Sequence, residues 1–138
     1  MTPYTRDDHT YYSVVLIQKR PRCDSYFIQT SHIISRIGDF VLAILGKDRI
    51  LFTNLDSELG KQKAVQILRG RGWNVKKVKV VKQRDGSVRY TIPKPFFNAL
   101  GLKRGYPVLL TGREGQLEVI PIKVVLNMLG TFKERTLY

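Results

Sequence analysis

The sequence has few of the residues that form disulfides and metal sites, and it has no long apolar run. It contains one cysteine, Cys23, and two histidines in 138 residues, so it cannot form an internal disulfide and offers no plausible set of zinc ligands. No apolar run approaches the ~20 residues of a membrane helix. The first residues carry two aspartates and no apolar segment, unlike a secretory signal. We therefore expect a soluble, cytoplasmic protein that uses no metal or cofactor.

Acidic residues are also scarce. The chain has 11 aspartates and glutamates against 24 lysines and arginines, which gives a formal net charge of +13. Hydrophobic residues make up 43% of the sequence, an ordinary proportion for a globular protein. A net charge of this size attracts polyanions, namely DNA, RNA or an anionic membrane surface. The alternative is a basic surface that serves only solubility.

Most of the positive charge lies in the second part of the chain. Residues 1–70 hold ten basic and seven acidic residues, whereas residues 71–138 hold fourteen basic and four acidic residues. The densest stretch, from Arg69 to Arg89, has eight basic residues against Asp85 alone. Such clustering is the electrostatic pattern expected of a nucleic-acid contact surface.

The second part also has a regular order of predicted elements. Apolar residues alternate over 75–82, Asp85-Gly86 favours a tight hairpin turn, and 88–92 predicts a second strand. Two prolines then introduce a short helix that ends before Gly101. Strands at 106–111 and 116–120 complete the order strand, hairpin, strand, helix, strand, hairpin, strand. About 45 residues bury too little surface to be stable alone, so this unit needs a partner.

The first part of the chain repeats this order. A shift of 63 residues aligns four pairs that we take as markers: Val15 with Val78, Lys19 with Lys82, Phe27 with Tyr90, and Gly38 with Gly101. After a shortening of three residues, 40–45 and 50–52 align with the third and fourth strands. A helix over 57–69, capped by Asp56 or Ser57, connects the two parts. The sequence thus predicts an internal duplication; the alternative is an unrelated small α+β unit with similar turn spacing.

The segment from Val81 to Gly105 resembles the AbrB/MazE-like (SpoVT-AbrB) swapped-hairpin DNA-binding domain. The resemblance covers about residues 76–121. Its most specific parts are Thr91-Ile92-Pro93 before the short helix, Ala99-Leu100-Gly101-Leu102 after it, and Lys103-Arg104-Gly105 before the third strand. Members of this family exchange hairpins between two such units to form one closed β-barrel that binds DNA.

The resemblance and the repeat together predict the domain organisation. We expect a mainly β fold with short helices, in which two ββαββ halves of one chain form an AbrB-like swapped-hairpin barrel, an intrachain pseudo-dimer. The predicted parts are a degenerate half at 12–54, a connecting helix at 55–72, a second half at 73–121 and a helical tail at 122–138.

The resemblance also implies which residues contact DNA. It places the first two strands and their hairpin against the duplex, and Lys82 and Arg89 match positions that are often basic in the family. Many members carry two arginines in the short helix, where this chain has Phe97 and Asn98. The complete set of candidate DNA-binding residues is Lys77, Lys79, Lys82, Arg84, Arg89, Lys94, Lys19, Arg20 and Arg22. Arg84 or Arg89 could also bind guanine edges in the major groove.

The predicted function is that of a DNA-binding transcriptional regulator or a small architectural protein associated with the nucleoid. The expected partner is double-stranded DNA, with self-association through the barrel or the C-terminal helix as a further interaction. No catalytic constellation is present, so we predict that the protein is not an enzyme and has no small-molecule substrate. Two alternatives stay open: an antitoxin of a toxin–antitoxin pair, and a structural or interaction protein that does not bind nucleic acid.

Overall fold

The computed structural model describes residues 4–5, 10–34, 40–54 and 58–137. Within these ranges it contains ten strands: β1 (Tyr4–Thr5), β2 (Tyr11–Leu16), β3 (Gln18–Lys19), β4 (Tyr26–Ser31), β5 (Phe40–Leu45), β6 (Ile50–Thr53), β7 (Asn74–Lys82), β8 (Ser87–Ile92), β9 (Pro107–Arg113) and β10 (Gln116–Pro121). The α-helices are α1 (Glu58–Gly70), α2 (Lys94–Ala99) and α3 (Ile122–Leu137), and a 3-10 turn spans His32–Ile34. The predicted mainly β class with short helices is confirmed.

Some of the sequence predictions concern residues outside the described ranges, and others differ from the elements of the structure. The aligned Gly38 and the proposed helix caps Asp56 and Ser57 lie outside the described residues. The first short helix of the repeat is represented in the described part of the chain by the 3-10 turn at His32–Ile34. The sequence pattern gave no indication of β1, which pairs with β2.

The strands form one antiparallel sheet in the order β1-β2-β9-β10-β6-β5-β7-β8-β4-β3. One stretch of chain contributes to both ends of this order, because β2 and β3 are separated only by Ile17. β2 pairs with β9, whereas β3 pairs with β4. The sheet is therefore wrapped into a nearly closed barrel.

Pairing between the two parts of the chain is reciprocal. β2, near the start of the first part, pairs with β9 of the second, and β7, at the start of the second part, pairs with β5 of the first. The remaining contacts between the parts join β4 to β8 and β6 to β10. Each hairpin of third and fourth strands thus pairs with the opening strand of the other part.

Two hairpin loops lie at opposite ends of the β4–β8 pair, because these strands are antiparallel: Tyr26, which follows the first loop, pairs with Ile92, and Ser87, which follows the second, pairs with Ser31. The loop after β7 is closed by the N–H of Gln83, which donates to the carbonyl of Ser87 at 2.8 Å. Gly86 has φ of 88° there, a conformation that glycine adopts without a steric penalty. In the loop after β3, Arg20 N–H donates to the carbonyl of Ser25 at 2.9 Å, and Arg22 takes φ of 59°.

Alternation along the strands separates the barrel core from the outer surface. In β8, Val88, Tyr90 and Ile92 are buried in the core, and the residues between them are only half-buried. Tyr90 lies 5.3 Å from the ring centre of Phe52, in a core that contains residues from both parts of the chain. Because successive side chains of a strand point to opposite sides, Arg89 and Thr91 face outwards.

The two longer helices lie against the outside of the barrel. α1 contacts β7 and β5, where Leu42 and Val75 are almost fully buried although neither belongs to the core cluster. α3 contacts β9 and β10, and it exposes Leu126, Met128 and Leu129. Among the helices of the described ranges, none has the length and apolar character needed to cross a membrane.

Candidate nucleic-acid interface

The outer surface of β4, β8 and β7 brings together side chains that are far apart in the sequence. Register pairs Gln29 of β4 with Arg89 of β8, and Arg89 with Val81 of β7. Lys77 and Lys79 are exposed on β7, on the same side of the strand as Val81. A contiguous surface therefore runs across three strands from both parts of the chain.

A basic groove crosses part of this surface. It has a volume of about 490 Å³ and is lined by Arg20, Lys76, Lys77, Val78, Lys79, Val81, Thr91 and Pro93. Arg20 is half-buried, and its Nη2 donates to the hydroxyl of Thr91 at 3.0 Å. Four cationic side chains thus border one concave surface, and their mutual repulsion is relieved when an anion binds between them.

Arg89 lies beside this groove and is held on two sides. Its Nε donates to Oε1 of Gln29 at 3.1 Å, and its guanidinium carbon lies 4.8 Å from the ring centre of Phe27. Phe27 is only 4% exposed. Within the described ranges, no protein group accepts a hydrogen bond from either Nη atom of Arg89. The arginine therefore presents two oriented donors, the geometry that binds a phosphate or a guanine edge.

Gln29 is itself fixed by the second hairpin loop. Its Nε2 donates to the Ser87 hydroxyl at 2.9 Å, and that hydroxyl donates to Oδ1 of Asp85 at 2.7 Å. The Ser87 N–H also donates to Oδ1 of Asp85, at 2.9 Å. Hydrogen bonding from the Ser87 side chain is the largest cause of a lowered pKa for Asp85. A chain of hydrogen bonds thus connects the hairpin turn to Arg89.

Lys94 has a different environment from the other candidate residues. Its Nζ lies 2.9 Å from Oδ1 of Asp24 and 4.8 Å from the ring centre of Tyr26. The Tyr26 ring stacks on Phe97, with 4.0 Å between ring centres. The hydrogen bond from Lys94 lowers the pKa of Asp24. Lys94 therefore connects α2 to the first hairpin loop, and Phe97 is buried in this contact.

The remaining predicted residues lie in or beside the two hairpin loops. Lys82 and Arg84 are exposed near the second loop, and Lys19 and Arg22 are exposed near the first. Because β4 and β8 run antiparallel, the two basic loops lie at opposite ends of this strand pair. Of the nine candidates, Arg20, Lys77 and Lys79 share the basic groove, and Arg89 lies next to it.

Three residues of this surface were not among the candidates. Lys76 lines the groove, but strand alternation gives it the same parity as the buried Val78, so the pattern predicted the opposite side. Thr91 and Gln29 are uncharged and owe their roles to contacts with Arg20 and Arg89. The pairing of β4 with β8 brings Gln29 to Arg89 and the first hairpin loop, which carries Arg20, to Thr91.

The described residues contain no cluster of three or more histidine, cysteine or carboxylate side chains that could hold a metal ion. Cys23 is exposed in the first hairpin loop. Comparison of the chain with protein-family models and with curated proteins gave no match.

Proposed function

We propose that the protein binds double-stranded DNA through the outer surface of β4, β8 and β7, and that it acts as a transcriptional regulator. The basic groove carries this proposal, because it places four cations around a concave surface beside an arginine with two oriented donors. Phosphate oxygens accept hydrogen bonds from arginine and lysine, and contacts of this kind position a protein on the duplex. Arg89 can also contact a base edge, because an arginine binds guanine with two hydrogen bonds.

The reciprocal strand pairing supports an AbrB-like swapped-hairpin architecture formed within one chain. In both parts the opening strand pairs with the third strand of the other part, as an exchange of hairpins between two units requires. The strand registers favour a small change in the alignment of the repeat. Lys19 pairs with Tyr26 whereas Lys82 pairs with Val88, so the first hairpin is one residue longer.

That extra residue changes which positions correspond. With Tyr26 equivalent to Val88, Phe27 corresponds to Arg89 and Ile28 to Tyr90, one residue away from the alignment made by sequence alone. Ile28 and Tyr90 also pair directly across β4 and β8. An equivalent pair at the contact between two units is the relationship expected at a local twofold axis.

Exposed apolar side chains on α3 favour a second candidate, a protein-interaction module whose charge serves only solubility. Leu126, Met128 and Leu129 are each more than half exposed. This candidate predicts no salt-sensitive binding to nucleic acid, so the same experiment separates the two functions.

The test is a fluorescence-anisotropy titration of the intact protein against mixed-sequence duplex DNA, repeated from ~50 to ~200 mM salt. We expect binding that weakens steeply with salt, because each phosphate neutralised releases condensed counterions. An absence of binding at the lowest salt would contradict the proposed function and favour the interaction module.

A further inference from the structure

Two grooves flank the paired strands β4 and β8, and they differ sharply in charge. The basic groove lies on one side. On the other side is a groove of about 400 Å³, here called the polar groove, which is lined by Ser13, Val14, Val15, Gln29, Thr30, Ser31, Asp85, Gly86 and Ser87. The polar groove has no cationic residue in its lining and contains the carboxylate of Asp85.

The two grooves are built from corresponding strands. Val15 of β2 pairs with Val108 of β9, and Val78 of β7 pairs with Val41 of β5, in the reciprocal arrangement described above. Counting from these valines, Ser13, Val14 and Leu16 of β2 occupy the places that Lys76, Lys77 and Lys79 have in β7. Val14 and Leu16 are 48% and 56% exposed. The first part of the chain therefore presents polar and apolar side chains where the second part presents three lysines.

The central strands show the same asymmetry. Phe27 corresponds to Arg89, so only one of the two equivalent positions has a guanidinium that could bind a base or a phosphate. Phe27 instead contacts Arg89 through its ring. In the polar groove, the carboxylate of Asp85, which is ionised at neutral pH, repels a phosphate.

We infer that the protein recognises a DNA site without dyad symmetry, in which a single chain holds the duplex backbone in the basic groove and contacts the bases through Arg89, whose equivalent position in the first part of the chain is Phe27. This inference rests on the proposed function and adds the class of target. Proteins with two equivalent DNA-binding surfaces match palindromic sites. Here the two surfaces are equivalent in backbone pairing but unequal in charge, so the two half-sites of a palindrome would be contacted unequally.

The experiment selects binding sites for the intact protein from a random-sequence duplex library and then cleaves the selected duplex locally. An iron chelate attached to Cys23, the only cysteine in the chain, generates radicals beside the first hairpin loop. We expect a consensus without inverted repeats and one cluster of cuts on one side of its centre. A protein that binds a palindrome has two equivalent orientations and would give two clusters related by the dyad.

A pair of charge-matched variants sharpens this test. Val14→Lys with Leu16→Lys places lysines at the positions that correspond to Lys77 and Lys79. We expect the salt-dependence slope to steepen by about 1.8, at about 0.9 for each added phosphate contact. Leu126→Lys with Leu129→Lys adds the same charge on α3, which contacts β9 and β10, and should leave the slope nearly unchanged.

The outcomes distinguish a failure of the asymmetric-site inference from a failure of the proposed DNA binding. A palindromic consensus, dyad-related cuts, or selection without any consensus would overturn the inference while leaving DNA binding intact. Equal steepening in the two lysine variants would also overturn it, since charge would then act without regard to position. A wild-type protein that fails to bind the library at low salt would overturn the proposed function itself.

Discussion

Arg89 of β8 donates its Nε hydrogen to Oε1 of Gln29 on β4, at 3.1 Å, across the strand pair that joins the two parts of the chain. The bond fixes one edge of the guanidinium, and the ring of Phe27 lies against its face. Both partners of Arg89 come from the first part of the chain. The first part thus orients the arginine that the second part supplies.

Replacing Gln29 should therefore weaken sequence discrimination more than overall affinity. Gln29→Ala removes the acceptor that orients Arg89 but no positive charge. We expect about a tenfold loss of preference for the selected site, within the ~1–3 kcal/mol of a bidentate arginine–guanine contact. Affinity for mixed-sequence duplex should stay within about twofold, since phosphate contacts dominate it. Competition titrations measure both quantities.

Gln18→Ala is the control for this substitution, because Gln18 is exposed on β3 and makes no hydrogen bond with Arg89 in the described part of the chain. Its preference and affinity should match those of the wild-type protein. Unchanged discrimination in Gln29→Ala would show that the orientation of Arg89 does not contribute to recognition.

Gly112 in β9 lies against the 3-10 turn of the first part of the chain. A Cβ at this position would overlap both the Cγ2 atom and the backbone carbonyl oxygen of Ile34. A backbone atom cannot rotate away, so Gly112→Ala should destabilise the protein by at least the ~1–3 kcal/mol typical of overpacking. Urea unfolding measures this loss.

Gly130→Ala is the matched control for Gly112, because among the described residues no atom beyond its chain neighbours and the adjacent backbone of α3 lies within 4 Å of the added Cβ. Alanine also favours a helix more than glycine by about 1 kcal/mol, so this variant should be as stable as the wild type or slightly more stable. Equal stability of the two alanine variants would contradict the contact between β9 and Ile34.

Much of the fold follows from local sequence, whereas the site does not. The alternation of 75–82 and Asp85-Gly86 determine a hairpin by themselves, and its observed bounds agree with the prediction within a residue. The pairing of Ile28 with Tyr90 depends on how two distant segments meet, which periodicity does not encode. The first hairpin loop is one residue longer than the second, and the apolar pattern does not encode this difference in loop length.

The positive charge of the site could be predicted from the sequence, but the extent of the charged surface could not. Lysines on β7 were predicted because basic residues are dense there. On β2, Val14 and Leu16 stand where β7 has Lys77 and Lys79, and Val14 borders a groove that has no lysine or arginine in its lining; this comparison needs the reciprocal pairing. The sequence therefore predicted a basic surface, and the structure shows that the lysines line only one of the two grooves beside β4 and β8.

Asp85 links hairpin stability to pH. Hydrogen bonds from Ser87 lower the pKa of this carboxyl below its ordinary 3.8, so ionised Asp85 stabilises the folded state above that pH, and the contribution is lost as pH falls through the lowered pKa. Asp85→Ala should lower the melting temperature at neutral pH. The difference from the wild type should shrink as pH falls below about 3.8. A difference that is independent of pH would contradict this role.

The same substitution should affect DNA binding in the opposite direction. Asp85→Ala removes the carboxylate that lines the polar groove, so repulsion of the duplex decreases. We expect tighter binding of mixed-sequence DNA at low salt, measured by anisotropy at a temperature where both proteins are folded. Weaker binding would indicate that the intact hairpin turn matters more for the interface than its charge.

The most direct test of the account compares two charge-matched double variants in the salt titration. Lys77→Ala with Lys79→Ala removes two cations from the basic groove, and Lys47→Ala with Lys123→Ala removes two exposed lysines that are absent from its lining. We predict that the first pair reduces the slope of log affinity against log salt by about 1.8, at about 0.9 for each lost phosphate contact. The second pair should leave the slope nearly unchanged. Equal slopes in the two variants would contradict the claim that DNA occupies the basic groove.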